Sequence, residues 1–326
     1  MLTVSRLALA GATFAVALGA SVTASAQNWL MASGYPEDNF LTKNIRLFIE
    51  EVEANSSLNI DLQSNDSLIR LDAIKTAVAR GQVPIGEIRL GVYGNQNPMF
   101  NLEALPFIAA NYAEAWLLKD LQREYFDELF AQTGLRALFY APWPGQGFYL
   151  RSAVNSVEDF AGKRLRIYSP ATQKMGEMLG FQATILPFAE VPQAFSTGLI
   201  EALFTSPQTG IDVQAWDNTS HFVYVGAIFS KNAVVVNERA WQALDRDTQD
   251  AIMAAARRAE LRAWEMSAAT TTEQIATLAA NGMDTSDAPA EVLERMVEIG
   301  LAMMDDWRET ASPEAIAVLD RYLALR

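Results

Sequence analysis

The sequence predicts an α/β protein built from two lobes. Three observations carry that expectation. Strands alternate with helices in two separate runs, 29–140 and 162–205, and such alternation builds mainly parallel sheets covered by helices. A cluster of turn formers, Trp143-Pro144-Gly145-Gln146-Gly147, stands between the runs and reads as a hinge. About 300 residues follow an N-terminal leader, enough for two cores.

The leader is MLTVSRLALAGATFAVALGASVTASAQ. One basic residue, Arg6, precedes an apolar run, and Ala24-Ser25-Ala26 is an A-x-A cleavage site, so residues 1–26 are expected to be a secretory signal peptide. The run is broken by Gly, Thr and Ser, which argues against a membrane anchor. No Cys follows it to carry a lipid. The mature chain is expected in the periplasm, starting near Gln27.

Trp29–Ala32 reads as a strand, followed by a Gly34-Tyr35-Pro36 turn. Asp38 or Asn39 can cap a helix over Leu41–Asn55, where Ile45, Phe48, Ile49 and Val52 recur at helical spacing. Leu58, Ile60 and Leu62 alternate as a half-buried strand. A helix over 70–80 stops at Gly81. A strand over Val83–Leu90 leads into a loop, Tyr93–Asn101. A helix fills Ala113–Thr133, and Arg136–Tyr140 is the next strand. Beyond the hinge, residues 162–207 spell a βαβαβ pattern with polar side chains at the strand ends. Ala233–Asn237 reads as a strand returning to the first unit. Residues 245–280 are rich in Ala, Arg, Glu and Gln, and form two helices end to end or one long helix; Asn281-Gly282 supplies a left-handed cap. The last helix opens at Ser312-Pro313, a cap followed by proline at the first helical position.

Composition narrows the function. The chain has 25 Lys and Arg against 39 Asp and Glu, a formal charge of −14, which becomes −15 once Arg6 leaves with the leader. Such a surface disfavours nucleic acid and anionic membranes, since both reward Lys and Arg. A local cationic pocket can still oppose the global field. There is no cysteine and one histidine, His221. That excludes disulfides, thiolate metal sites and zinc sites of several imidazoles, and leaves His221 as the sole usual base for a serine triad. No GxSxG, GxxxxGK[ST], GxGxxG or HExxH motif occurs. These absences weigh against an enzyme, although carboxylate-only chemistry leaves no local signature, and no metal or cofactor is expected. An exported α/β enzyme acting on a small organic acid is the rival reading.

The most informative stretch is GKRLRIYSPATQKMGEMLGFQATILPFAEVPQAFSTGLIEALFTSP, residues 162–207. Arg166 ends a short strand, where a guanidinium can fork onto a carboxylate through two parallel N–H···O bonds. Strand alternation puts Arg164 and Arg166 on one side, so one of them can simply be solvated. The stretch resembles the core of the solute-binding proteins of tripartite ATP-independent periplasmic (TRAP) transporters, the C4-dicarboxylate and sialic-acid type. Lys163-Arg164-Leu165-Arg166-Ile167 matches that family's K-x-L-R-[IV]. LPFAEVPQAFSTG at 186–198 matches its P-[FM]-x-E-[VA]-[YP]-x-A-[FL]-x-T-G.

The resemblance implies the two-lobe periplasmic-binding-protein fold, with one long kinked helix spanning both lobes. It places lobe I at 27–143 plus 231–271 and lobe II at 144–230 plus 272–326. It implies a monomeric receptor that closes on one organic acid and delivers it to the membrane permease subunits of a TRAP transporter; a receptor feeding a sensor uses the same closed lobes. In the family the counterpart of Arg166 clamps the ligand carboxylate and that of Phe188 packs on the ligand. Phe188 can equally be a core aromatic, and Glu190 is expected to cap the helix after it.

Two departures bear on the ligand. Thr205 and Ser206 stand where many relatives carry the asparagine of Q-E-N-P, and their hydroxyls can still donate. Gln146 stands where the sialic-acid type has a second arginine, which suits a monocarboxylate with neutral polar groups. Trp143 beside it is expected to wall the cleft. Glu87 and Arg89 share one side of a strand, so they face a ligand or pair on the lobe surface. Tyr35, Asn39, Tyr93 and Asn95 come from first-lobe loops that the family uses to line its cleft.

Overall fold

A computed structural model describes residues 27–326; the expected signal peptide, 1–26, lies outside the described residues. Eleven strands run in chain order: β1 Gln27–Ala32, β2 Leu58–Gln63, β3 Ile85–Arg89, β4 Leu135–Pro142, β5 Gly147–Leu150, β6 Arg164–Ile167, β7 Gln182–Ile185, β8 Ala202–Thr205, β9 His221–Tyr224, β10 Lys231–Asn237 and β11 Asp284–Asp287. They form two sheets, in the order β2-β1-β3-β10-β4 and β11-β9-β5-β8-β6-β7.

The first sheet is mixed rather than parallel throughout. β1 runs parallel to β2 and β3, but β10 lies antiparallel between β3 and β4. The reason is geometric. The chain leaves this sheet through β4 and re-enters through β10, and Lys231 pairs with Pro142 at the crossing point. A strand that returns at the edge where its neighbour left must run the other way. In the second sheet β6, β7 and β8 are parallel, as the βαβαβ pattern predicts, while β5 is antiparallel to both β8 and β9.

The expected first helix forms over Phe40–Asn55, and the Asn39 side chain accepts from the Leu41 amide to cap it. Its apolar face, Ile45, Phe48, Ile49 and Val52, is buried against Phe139, Val234 and Val236 of the first sheet and Ile252, Ala255, Ala256 and Ala259. Burial of each large side chain contributes about 1.5–3 kcal/mol. The second helix begins as a 3₁₀ turn at Leu71–Ala73 before its α-helical part, Ile74–Ala79.

Residues 246–280 are one continuous helix, which decides between the two sequence readings. Asp245 caps its start, accepting from the Thr248 amide at 2.7 Å, and Gly282 ends it at φ +90°. Its first half packs on the first sheet. Leu278 joins Tyr149 and Phe222 of the second, and Gln274 donates to Gln208 at 2.8 Å. Mid-helix Glu260 accepts from Lys119 at 2.7 Å, Arg123 at 2.6 Å and the Tyr140 amide at 3.0 Å. The C-terminal helix Pro313–Leu325 packs on Tyr112–Ala131, beside the first sheet, with the Tyr322 hydroxyl donating to the Ile108 carbonyl. No helix among the described residues is long and apolar enough to cross a membrane.

Candidate functional site

Two guanidiniums, one from each sheet, converge on a cavity of about 170 Å³ between the lobes. Arg166 comes from β6 of the second sheet and Arg89 from the end of β3 in the first. Both are buried, and neither forms a salt bridge among the described residues. The Arg166 Nε donates to the Leu186 carbonyl at 3.0 Å, which anchors the guanidinium and leaves its two terminal nitrogens for a ligand. The Arg89 guanidinium lies 3.4 Å above the Tyr168 ring centroid, a cation–π contact, and its Nε has no hydrogen-bond partner. Arg164 faces solvent instead and pairs with Glu201 at 3.0 Å.

Burial, and then the neighbouring Arg89, push the Arg166 pKa down to about 9. A guanidinium keeps its proton through the neutral range. The depression therefore measures how poorly the charge is compensated, which is a demand for an anion. Leu186, Pro187 and Phe188 form the apolar wall, and Asp66, Arg70, Leu71 and Asp72 surround the mouth. A larger groove of about 580 Å³, lined among others by Asn95, Gln96, Lys174, Asp306 and Trp307, gathers no such buried charge. The candidate site is the smaller cavity, because among the described residues that is where two buried cations without a salt bridge meet.

Tyr35 belongs with this site. It is fully buried, its hydroxyl is without a partner, and its ring packs edge-on against Phe188 at 5.6 Å and Trp143 at 4.9 Å. Burial raises its pKa; the Arg89 charge works against the rise and the Glu87 charge adds to it. Trp143 stands behind Tyr35, and its Nε1 donates to the Asn232 Oδ1 at 2.8 Å, so it supports the wall.

Other expected contacts are engaged elsewhere. Gln146 has both amide atoms in use: its Oε1 accepts from the Tyr168 hydroxyl at 2.6 Å and its Nε2 donates to Ser230 Oγ at 3.1 Å. It ties the two hinge segments to the tyrosine under Arg89. Ser206 caps the helix Pro207–Asp212 through the Thr209 amide at 3.2 Å. Thr205 is buried in the sheet, paired with Gly147. Glu87 is neither a surface ion pair with Arg89 nor part of the cavity lining; it accepts from Ser33 Oγ at 2.6 Å and Asn232 Nδ2 at 2.7 Å. Tyr93 packs on Phe100 beneath the Lys75 ammonium, away from the cavity. Asn39 donates to Asp212 Oδ2 at 2.7 Å across the cleft. Glu190 makes no side-chain cap and pairs with Arg70 at 2.8 Å, also across the cleft. These two contacts, with Arg89 on Tyr168, link residues of the first sheet's unit to residues of the second's.

Tyr168 escaped the sequence reading. The signal was present: it lies two residues after Arg166, so strand alternation puts both on one side. Asp66, Arg70 and Leu71 had no such signal, because only the closed lobes bring them to the mouth. The Gln146 geometry carries a prediction. Gln146→Leu leaves the Tyr168 and Ser230 hydroxyls unpaired, at about 1–3 kcal/mol each. It is expected to weaken every acid by a similar factor and keep their order, measured on one ligand panel by calorimetry. A reordered panel would restore Gln146 to ligand contact.

A family model described as bacterial extracellular solute-binding protein, family 7, matches residues 31–310. Two extracytoplasmic solute receptors of Bordetella pertussis, solved as receptors binding pyroglutamic acid, are 36% and 34% identical. Each superposes with a TM-score of 0.89 over 91% of this chain, covering 99% and 100% of theirs. A TRAP solute-binding protein from a marine metagenome, specific for pyroglutamate, is 32% identical with the same TM-score, over 92% of this chain and 99% of its own. The C4-dicarboxylate-binding periplasmic protein of Rhodobacter capsulatus is 28% identical over 260 residues, 74% of each chain. These relatives are receptors rather than enzymes. Fold, buried arginines and family match agree: this chain belongs to family 7 of the bacterial extracellular solute-binding proteins, the receptors of TRAP transporters.

Proposed function

We propose that the protein is a periplasmic receptor for a small cyclic monocarboxylate, with pyroglutamate the first candidate, which it delivers to the permease subunits of a TRAP transporter. The observation that carries this reading is the pair of buried guanidiniums, Arg89 and Arg166, with no carboxylate partner in a cavity of about 170 Å³. Arg166 clamps the carboxylate, Tyr35 donates its free hydroxyl, and Phe188 covers the apolar face of the ring. The relatives at 32–36% identity that bind pyroglutamate support the choice of ligand. In this reading the lobes divide near 143/144, 230/231 and 271/272; the helix Pro313–Leu325, assigned to lobe II from the sequence, packs on Tyr112–Ala131 and is reassigned to lobe I. The receptor acts as a monomer, and ligand shifts its hinge equilibrium towards the closed form that the permease reads.

The test is thermal denaturation of the purified chain 27–326 with a panel of organic acids. L-pyroglutamate is expected to stabilise it by about 2.7 kcal/mol at one hundred times its dissociation constant, and to be recovered unchanged. Stabilisation by other acids but not by pyroglutamate would replace the ligand. Chemical turnover of the bound acid would overturn the receptor reading.

A further inference from the structure

Glu87 sits two residues before Arg89 on β3, so both side chains leave the same side of the strand. It is buried, and no Lys or Arg forms a salt bridge with it among the described residues. Burial raises its pKa, with Ser33 and Asn232 working against the rise. Both of its oxygens meet donors, Oε2 the Ser33 hydroxyl and Oε1 the Asn232 amide. The Asn232 orientation is set from the far side, because its Oδ1 accepts from the Trp143 indole at 2.8 Å. Both neighbours donate to it, which suits an ionised carboxylate, an acceptor at both oxygens, rather than an acid. The carboxylate does not line the cavity, so it acts on a ligand through its field and not through contact.

We infer that Glu87 sets the charge of the ligand: its buried carboxylate offsets one of the two guanidiniums, and the receptor therefore selects monoanions over dianions. The buried charges at the site are Arg89 and Arg166, both positive, and Glu87, negative. Their balance is one positive charge, which a monocarboxylate neutralises and a dicarboxylate overshoots. Of the other charges lining the cavity, Arg70 and Asp72 are more than half exposed and screened by solvent, while Asp66 is half-buried, accepts from the Leu71 amide at 2.8 Å and has Arg70 as its countercharge. A second arginine without Glu87 would favour a dianion; with Glu87 the same pair favours a single carboxylate.

The inference rests on the proposed receptor function, and an isosteric ligand pair tests it separately. Glutaramate and glutarate differ by one amide in place of one carboxylate. The wild type is expected to bind glutaramate more tightly than glutarate by calorimetry. Glu87→Gln keeps the side-chain shape and removes the charge. It is expected to shift the ratio of the two affinities towards glutarate by about tenfold or more, the order of one charge–charge interaction at an effective dielectric of about 20. Ser33→Ala removes a hydrogen bond and keeps the charge, so it should leave the ratio unchanged. If both variants weakened both ligands in parallel, Glu87 would be a structural residue and the inference wrong. If Glu87→Gln did not fold, the wild type still decides: equal or tighter binding of glutarate overturns the inference. Failure of the wild type to bind pyroglutamate would overturn the ligand assignment instead.

Discussion

Arg166→Lys is expected to weaken binding of the acid nearly as much as Arg166→Ala. The guanidinium is held at Nε by the Leu186 carbonyl, so its two terminal nitrogens point the fork into the cavity. A lysine has one nitrogen for both tasks. It can reach the Leu186 carbonyl or the ligand, and it cannot present two parallel donors to a carboxylate. Loss of a buried charged hydrogen-bond pair costs roughly 2–5 kcal/mol, much of it from the partner left unpaired. Calorimetry on wild type and both variants with pyroglutamate checks this. Lysine at wild-type affinity would show that Arg166 works as a point charge and not as a fork.

Glu260→Ala is expected to cost stability rather than specificity. Glu260 sits on the long helix, turned away from the cavity, and collects Lys119, Arg123 and the Tyr140 amide. The Lys119 side chain is 1% exposed and keeps only Asp120 once Glu260 is gone. Breaking such a buried cluster from one side costs about 3–5 kcal/mol. For a chain of this size that lowers Tm by on the order of 10 °C. Thermal unfolding without ligand measures it, and the ligand preference order should be untouched. An unchanged Tm would show that the cluster contributes nothing net.

The residues legible in the sequence are those whose signal is local. Arg166 is one of two arginines in a short basic strand, singled out by the family motif around it, Arg89 and Glu87 are charges inside an otherwise apolar strand, and the long helix announces both ends through Asp245 and Gly282. What stayed hidden depends on partners far along the chain. Gln146 reads as a contact until Tyr168 and Ser230 are seen to use both its amide atoms. Asn39 reads as lining until Asp212 arrives from the other lobe. Ser206 faces the same competition, because a hydroxyl before Pro207 caps a helix whether or not a ligand is near. The antiparallel course of β10 was hidden for the same reason, since it follows from where the chain crosses and not from the strand's own residues.

That strand has a consequence for how the chain comes into being. β10 is the only link between β3 and β4, yet it lies some 90 residues after β4. While the polypeptide emerges N-terminus first, residues 27–142 own four strands of the sheet, with the strand that joins β4 to the other three still missing. The sheet cannot be completed until residue 237 is available, by which time five of the six strands of the second sheet have been made. Premature compaction is thereby delayed by connectivity alone. β10 is thus a late-arriving keystone, and the first sheet is whole only once residues 231–237 are in place.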